Sequence, residues 1–436
     1  MPSTILLFGA GKSATVLIDH LISEADTNDW LVLIADTNKE QILAKTNNAA
    51  CVQAFAIDVK DDAERGALIK RADIVISLMP PALHILIAKD CVAYNKNLLT
   101  ASYVDDAIKT LSEEIKEKGL LFLYEMGLDP GIDHMSAMQL IDSIKSKGGN
   151  ITSLKSHCGG LVAPESDDNP WHYKISWNPR NVVMAGKAGA VYKKDDRIIK
   201  EEYRQLFIGD RRITIDGLDF LAWYPNRDSL LYIDLYHLQE AKTFIRTTLR
   251  HHEFIYGWKK IIELGLTNEE QRYEIVTTSL SDLFKNQFKI VNDKSGIIAE
   301  QLSYLGIDDS DTFIPAGKYS AADILQFILE KKLALRTGDR DMVVMCHEIE
   351  YTLDDEIYTI QSSMIVKGEN ESKTAMARTV GLPLGIAAKL ILTKKIQLTG
   401  LQIPVAKEIY EAVLPELREF GINFTENAGP SSTSSD

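Results

Sequence analysis

After Thr4 comes an apolar run, Ile5-Leu-Leu-Phe8, which gives way to Gly9-Ala-Gly11; apolar positions then resume at helical spacing at Val16, Leu17, Leu21 and Ile22. The pattern predicts a strand, a tight turn and a helix. It then recurs. Leu31–Ala35 is apolar and ends at Asp36, and Ala54–Val59 is strand-like and precedes a polar helix at about 61–71. Asp73–Pro80 reads as a buried strand before a helix at about 82–94, Asn97–Tyr103 precedes a helix at about 105–118, and Leu120–Met126 is a sixth strand. Alternation this regular predicts an α/β fold with a Rossmann-type, doubly wound parallel sheet and right-handed crossovers.

From about 134 the alternation fails. A helix to about 146 and a strand at Ile151–His157 lead into Cys158–Pro170, a glycine- and proline-rich stretch that reads as a loop, followed by Trp171, Tyr173 and Trp177. The stretch from about 251 to 335 reads as helices, and strands return at Asp341–Cys346 and Ile357–Gln361. Helical positions at Thr374–Leu392 are expected to break at Gly381-Leu-Pro383, and a last helix covers Val405–Phe420. The polar end of the chain reads as disordered.

Ligands of doubly wound sheets bind beyond the carboxyl ends of the strands. That rule selects Gly9, Ala10, Gly11, Lys12 and Ser13, then Asp36 and Thr37, Asp58 and Val59, Leu78, Met79 and Pro80, Ser102 and Tyr103, and Leu128, Asp129 and Pro130. Gly9, Gly11 and Ala14 have the G-x-G-x-x-A spacing of a pyrophosphate turn, and Asp36 stands where a carboxylate accepts hydrogen bonds from an adenosine ribose. Gly11-Lys-Ser13 could also suggest an NTPase phosphate loop, but that motif requires glycine where Leu6 stands. Asp129, in Asp-Pro-Gly131, is expected to be held by the turn at the rim of the cleft. Arg246 and Arg250 share one face if their segment is helical, and with Arg227 they are candidates to grip carboxylates. Cys158 reads as a small buried residue rather than a nucleophile.

The 436 residues allow two or three domains, and 45% hydrophobic with 25% charged residues is a globular composition. A net charge of −14 argues against nucleic acid, and it requires arginines wherever an anionic ligand is to be held. No uncharged apolar run of membrane-spanning length and no leader are read, so a cytoplasmic protein without membrane attachment is expected. The four cysteines are scattered without metal-ligand spacing, so no metal is expected.

Ile76-Ser-Leu-Met-Pro80, Thr100-Ala-Ser-Tyr-Val104, Gly127-Leu-Asp-Pro-Gly-Ile-Asp-His134, Cys158-Gly-Gly-Leu161, Ala163-Pro-Glu-Ser166, Tyr224-Pro-Asn-Arg-Asp-Ser229, Thr248-Leu-Arg250 and Thr379-Val-Gly-Leu-Pro383 together resemble the saccharopine dehydrogenase (L-glutamate-forming) family. The resemblance implies reversible NAD(P)-dependent oxidation of saccharopine, with water, to glutamate and 2-aminoadipate 6-semialdehyde. It implies a Rossmann domain at 1–130 rejoined by about 393–425, a mixed α/β substrate domain at 131–250 and 336–392, and a helical subdomain at 251–335, before a disordered 428–436. It places substrate on Ser102, Tyr103, Asp129, Arg227 and Thr247-Thr248; Cys158 and Arg246 are counted with them as substrate-site candidates, and since no histidine base pair stands out, Asp129 and Tyr103 are the candidates for orienting water or amine. Fungal members that use NADP resemble one another in an arginine after the second strand; Asp36 here favours NAD. His157 stands where tyrosine is common, and Arg246-Thr247 replaces Arg-Gly. Animal members often carry a preceding reductase half, so this chain is expected to be monofunctional, with a homodimer left open. The competing readings are a related amine dehydrogenase, of the lysine 6-dehydrogenase or carboxynorspermidine dehydrogenase type, and a non-catalytic dinucleotide sensor.

Overall fold

Every residue of the first strand, β1 (Thr4–Phe8), is buried, as expected of a parallel strand covered on both faces. A computed structural model describes residues 2–207, 211–290 and 295–430. β2 (Leu31–Asp36), β3 (Val52–Ala56), β4 (Ile74–Ser77), β5 (Asn97–Thr100) and β6 (Leu121–Leu123) complete a parallel sheet in the order β6-β5-β4-β1-β2-β3. A further strand, Gly400–Gln402, adds in parallel beside β6. The direction of winding reverses between β1 and β4, where doubly wound sheets open a ligand crevice.

The chain divides into two compact units, Met1–Gly148 with Ser372–Phe424, and Gly149–Glu371 with the residues from Thr425 on. The first unit therefore holds two helices, Ile132–Ser146 and Ala375–Leu392, that the sequence reading assigned to the substrate domain. Ala375–Leu392 is continuous through Gly381-Leu-Pro383. The glycines there serve close packing: a Cβ at Gly385 would lie 2.4 Å from His20 Cδ2, on the helix Thr15–Asn28. With 18 residues and mean hydropathy 1.4 this helix could cross a membrane by length and composition, but 72% of it is buried within the protein. Arg378 and Lys389 interrupt the apolar run that the sequence reading looked for.

The second unit is built on a mixed sheet in the order Arg212–Ile213, Leu221–Pro225, Thr243–Arg250, Asn150–Val162, Asp341–Leu353, Glu356–Lys367 and Thr425–Pro430. Three expectations change here. Cys158–Val162 continues a strand rather than forming a loop, because Gly159 lets the neighbouring strand close in; a Cβ there would meet Leu249 O at 2.5 Å. Thr243–Arg250 is a strand, not a helix, and positions 246 and 250 still share a face because side chains alternate with period two. Residues 428–430 pair with the strand Glu356–Lys367 instead of being disordered, while 431–436 lie outside the described residues.

The helices His252–Glu263, Ile297–Tyr304 and Ala321–Lys332 belong to the same unit as this sheet. Trp258 and Leu325 from the helices share one core with Ala222 and Tyr224 from the sheet, so these helices pack as part of the second unit.

Candidate active site

The glycine turn is shaped by backbone requirements. Gly9 has φ +98°, and a Cβ on it would stand 3.0 Å from Leu78 O on the neighbouring strand end, so both its conformation and its surroundings exclude a side chain. Gly11 has open space where its Cβ would project. Asp36 Oδ2 accepts from Ala10 N at 2.8 Å and Oδ1 from Asn38 N at 3.1 Å, so the end of β2 carries the turn. Among the described residues, the helix Thr15–Asn28 that follows has no side-chain cap and no acidic residue in its first turn. An open glycine turn leading into a helix N-terminus fits the pyrophosphate of a dinucleotide.

Lys12, Ser13 and Thr37 surround this turn with exposed or half-buried side chains. Asp58 and Val59 are engaged locally: Asp58 Oδ1 accepts from Lys60 N at 3.0 Å, and Val59 O accepts from Arg65 Nη1 at 2.6 Å. Leu78, Met79 and Pro80 leave the end of β4 half-buried to exposed.

Beyond β5 the chain passes through Ser102 and Tyr103. Glu125 holds this segment from below: its N–H donates to Ser102 O at 3.0 Å, and its Oε1 accepts from Val104 N at 3.1 Å. Glu125 Oε2 meets His134 Nε2 at 2.9 Å. Only 4% exposed and at φ +56°, Glu125 has both side-chain oxygens hydrogen-bonded to neighbours, as a buried polar group requires. The available signal was a lone carboxylate in an apolar run, Leu120–Met126, which the sequence reading passed over. His84 was missed in the same way. It sits on the helix Pro81–Ala93 and bridges Ser77 and Ser102.

The predicted rim turn forms as expected. Gly127 N donates to Pro130 O at 3.0 Å, Ile132 N to Gly127 O at 2.9 Å and Asp133 N to Leu128 O at 3.1 Å, and the Asp129–Pro130 bond is cis. The turn brings Asp129 Oδ1 to 3.4 Å from Tyr103 Oη, so the two candidate catalytic groups lie side by side.

In the second unit, Cys158, Thr248 and Tyr224 are in register across three strands. Arg246 shares the face of Thr248, almost wholly buried with its guanidinium 4.4 Å from the Tyr232 ring centroid. Thr247 points to the opposite face, where its hydroxyl meets His157 Nδ1 at 2.7 Å. Burial holds the His157 pKa below its usual value, against the raising pull of Glu348. Arg227 is exposed at φ +53° and pairs its backbone with Ala190, and Asn226 N donates to Arg246 O at 2.8 Å. The Tyr-Pro-Asn-Arg motif and the Arg246–Thr248 strand are thus neighbours.

A parallel sheet in this order, with an open glycine turn at its first crossover, defines a dinucleotide-binding protein of the Rossmann class. The chain belongs to the saccharopine dehydrogenase family: residues 5–123 match the family's NADP binding domain and 127–422 its C-terminal domain. It is 34% identical over 451 residues to saccharopine dehydrogenase [NADP(+), L-glutamate-forming] of Saccharomyces cerevisiae, with 98% of this chain and 99% of that one covered. A solved apo structure of saccharopine dehydrogenase (L-Glu forming) from Saccharomyces cerevisiae superimposes with a TM-score of 0.88 at 31% identity, covering 98% of this chain and all of that one. The alpha-aminoadipic semialdehyde synthase of Arabidopsis thaliana is 30% identical over 98% of this chain, which spans only 45% of that protein's length.

Proposed function

We propose that this protein is an oxidoreductase of lysine metabolism that catalyses the reversible oxidation of saccharopine, with water, to glutamate and 2-aminoadipate 6-semialdehyde. The observation that carries the reading is the pairing of Tyr103 and Asp129 at the carboxyl ends of a sheet whose first turn is shaped for a dinucleotide. A bound nicotinamide would supply the hydride acceptor for the lysine-side ε-carbon next to the secondary amine. The resulting imine adds water and expels glutamate as its amine. Tyr103 and Asp129 are the groups proposed to orient the water and the amine and to move their protons. A steady-state assay of reduced dinucleotide formation with saccharopine tests the reading; preference for another amine would favour a related amine dehydrogenase, and no turnover would favour a sensor.

For the cofactor we propose NADP. The names of the fungal relatives and the description of the matched domain support it, whereas Asp36 alone had favoured NAD. In the turn, Asp36 holds two backbone N–H groups, and the Lys45 ammonium lies close enough for their charges to act on each other. Its repulsion of a 2′-phosphate is thereby reduced, though not removed. Asp36→Ala is expected to raise the ratio of kcat/KM for NADP over NAD about tenfold, roughly one like-charge contact. Damage to the turn affects both dinucleotides and cancels in the ratio, so an unchanged ratio would show that the carboxylate does not face the ribose.

Saccharopine carries three carboxylates, and Arg227 is proposed to receive one of them. Arg227→Ala is expected to raise KM for saccharopine by roughly 10- to 100-fold, the range of one charge-assisted hydrogen bond, with KM for the dinucleotide little changed. Equal changes in both constants would count against this assignment.

A further inference from the structure

Ser77, His84 and Ser102 form a hydrogen-bonded row within the first unit. His84 Nδ1 lies 2.9 Å from Ser77 Oγ, and Nε2 lies 2.7 Å from Ser102 Oγ. Ser77 is fully buried and His84 is 2% exposed, whereas Ser102 is only half-buried at the end of β5.

We infer that His84 is a positioning residue: its Nε2 carries the ring proton and donates it to Ser102 Oγ, so that the Ser102 hydroxyl presents its own hydrogen to an acceptor oxygen of a bound reactant. This rests on the function proposed above, in which that oxygen belongs either to a carboxylate of the amine substrate or to the carboxamide of the dinucleotide.

The assignment follows from counting donors. A buried hydroxyl has to give its proton to an acceptor, and among the described residues His84 Nδ1 is the only hydrogen-bond partner of Ser77 Oγ. Nδ1 is therefore the acceptor and carries no proton. Burial keeps the ring neutral, and a neutral imidazole bears one N–H, which must then be on Nε2. Nε2–H at 2.7 Å makes Ser102 Oγ an acceptor, and Ser102 Oγ has no other partner among the described residues. Its hydrogen cannot return to the ring. In the opposite tautomer Nδ1–H would point at Ser77 and leave the Ser77 hydroxyl proton without an acceptor. The row thus converts a buried hydroxyl at the sheet's centre into a directed donor at its rim.

Two measurements test this on the full chain. In protein labelled with ¹⁵N-histidine, the His84 ring, assigned by the signal that His84→Asn removes, is expected to show Nε2 protonated and Nδ1 bare; the reverse overturns the inference. In steady-state kinetics, Ser102→Ala is expected to raise one KM about tenfold. A rise for saccharopine identifies the carboxylate, a rise for the dinucleotide identifies the carboxamide, and no rise in either overturns the donor role. His84→Asn is expected to add nothing in the Ser102→Ala background, whereas additive losses would mean that His84 acts elsewhere. Should His84→Asn not fold, Ser77→Ala keeps the ring but frees its tautomer; a mixed tautomer with a smaller rise in the same KM supports the row, and an unchanged ring signal overturns it. The tautomer measurement needs no turnover, so a protein inactive on saccharopine would refute the proposed function without touching this result.

Discussion

Gly131→Ala is expected to destabilise the first unit by about 4 kcal/mol or more and to lower kcat/KM at least about 100-fold. Gly131 has φ +146°, and an added Cβ would stand 2.1 Å from Gly127 O and 2.3 Å from Gly127 N. Both neighbours are backbone, and they belong to the turn that Gly127 N and Pro130 O close at 3.0 Å. No side chain can swing aside to make room. The turn must open, and Asp129 moves away from Tyr103, which it meets at 3.4 Å only because the turn holds it there. A shift of this kind, on the order of 1 Å, is enough to lose about two powers of ten in rate. Thermal unfolding followed together with turnover checks it. A variant with wild-type melting temperature and turnover would mean that the chain around residue 127 relaxes freely, and the claim that this turn fixes Asp129 would fail.

Acidification from pH 6.5 to about 4 is expected to withdraw up to about 3 kcal/mol of stability for each of two histidines, His20 and His84. Burial pushes both pKa values down to about 4 from the usual 6.5, partly opposed by Glu24 at His20 and by Asp105 at His84. The folded state therefore keeps both rings neutral in this window while the unfolded chain binds a proton at each. With more protons on the unfolded side, stability rises with pH across the window and falls as the solution is acidified. Above pH 6.5 the two states bind alike and the contribution is flat. Melting temperatures at half-unit steps of pH test the slope, and His20→Asn is expected to flatten it by one histidine's share. An unchanged slope in that variant would place the acid sensitivity in other groups.

The parallel sheet was legible because its inner strands are buried on both faces. Apolar runs such as Leu31–Ala35 and Ile74–Ser77 need no partner to be recognised, and each ends in a turn or a polar residue. The same holds for the glycine turn and for Asp-Pro-Gly131, since those residues are chosen by local backbone geometry. The misreadings have a common cause. Thr243–Arg250 carries two arginines at a spacing that suits one helical face and one strand face equally, and only the strands on either side decide between them. Gly159 and Gly381 look like breakers in sequence, yet each sits inside an element where a neighbour approaches closely, Leu249 at one and Leu17 at the other.

The sequence by itself determined the alternation of strand and helix, the placing of candidate residues at strand ends, and the family resemblance. These are local patterns, written in consecutive residues. Only the tertiary structure decided that Ala375–Leu392 packs on Thr15–Asn28, that Glu125 supports the Ser102–Val104 segment, and that His84 joins Ser77 to Ser102. Those are contacts between side chains on different elements, and no local preference encodes them. They arise where burial obliges each polar group to find its partner.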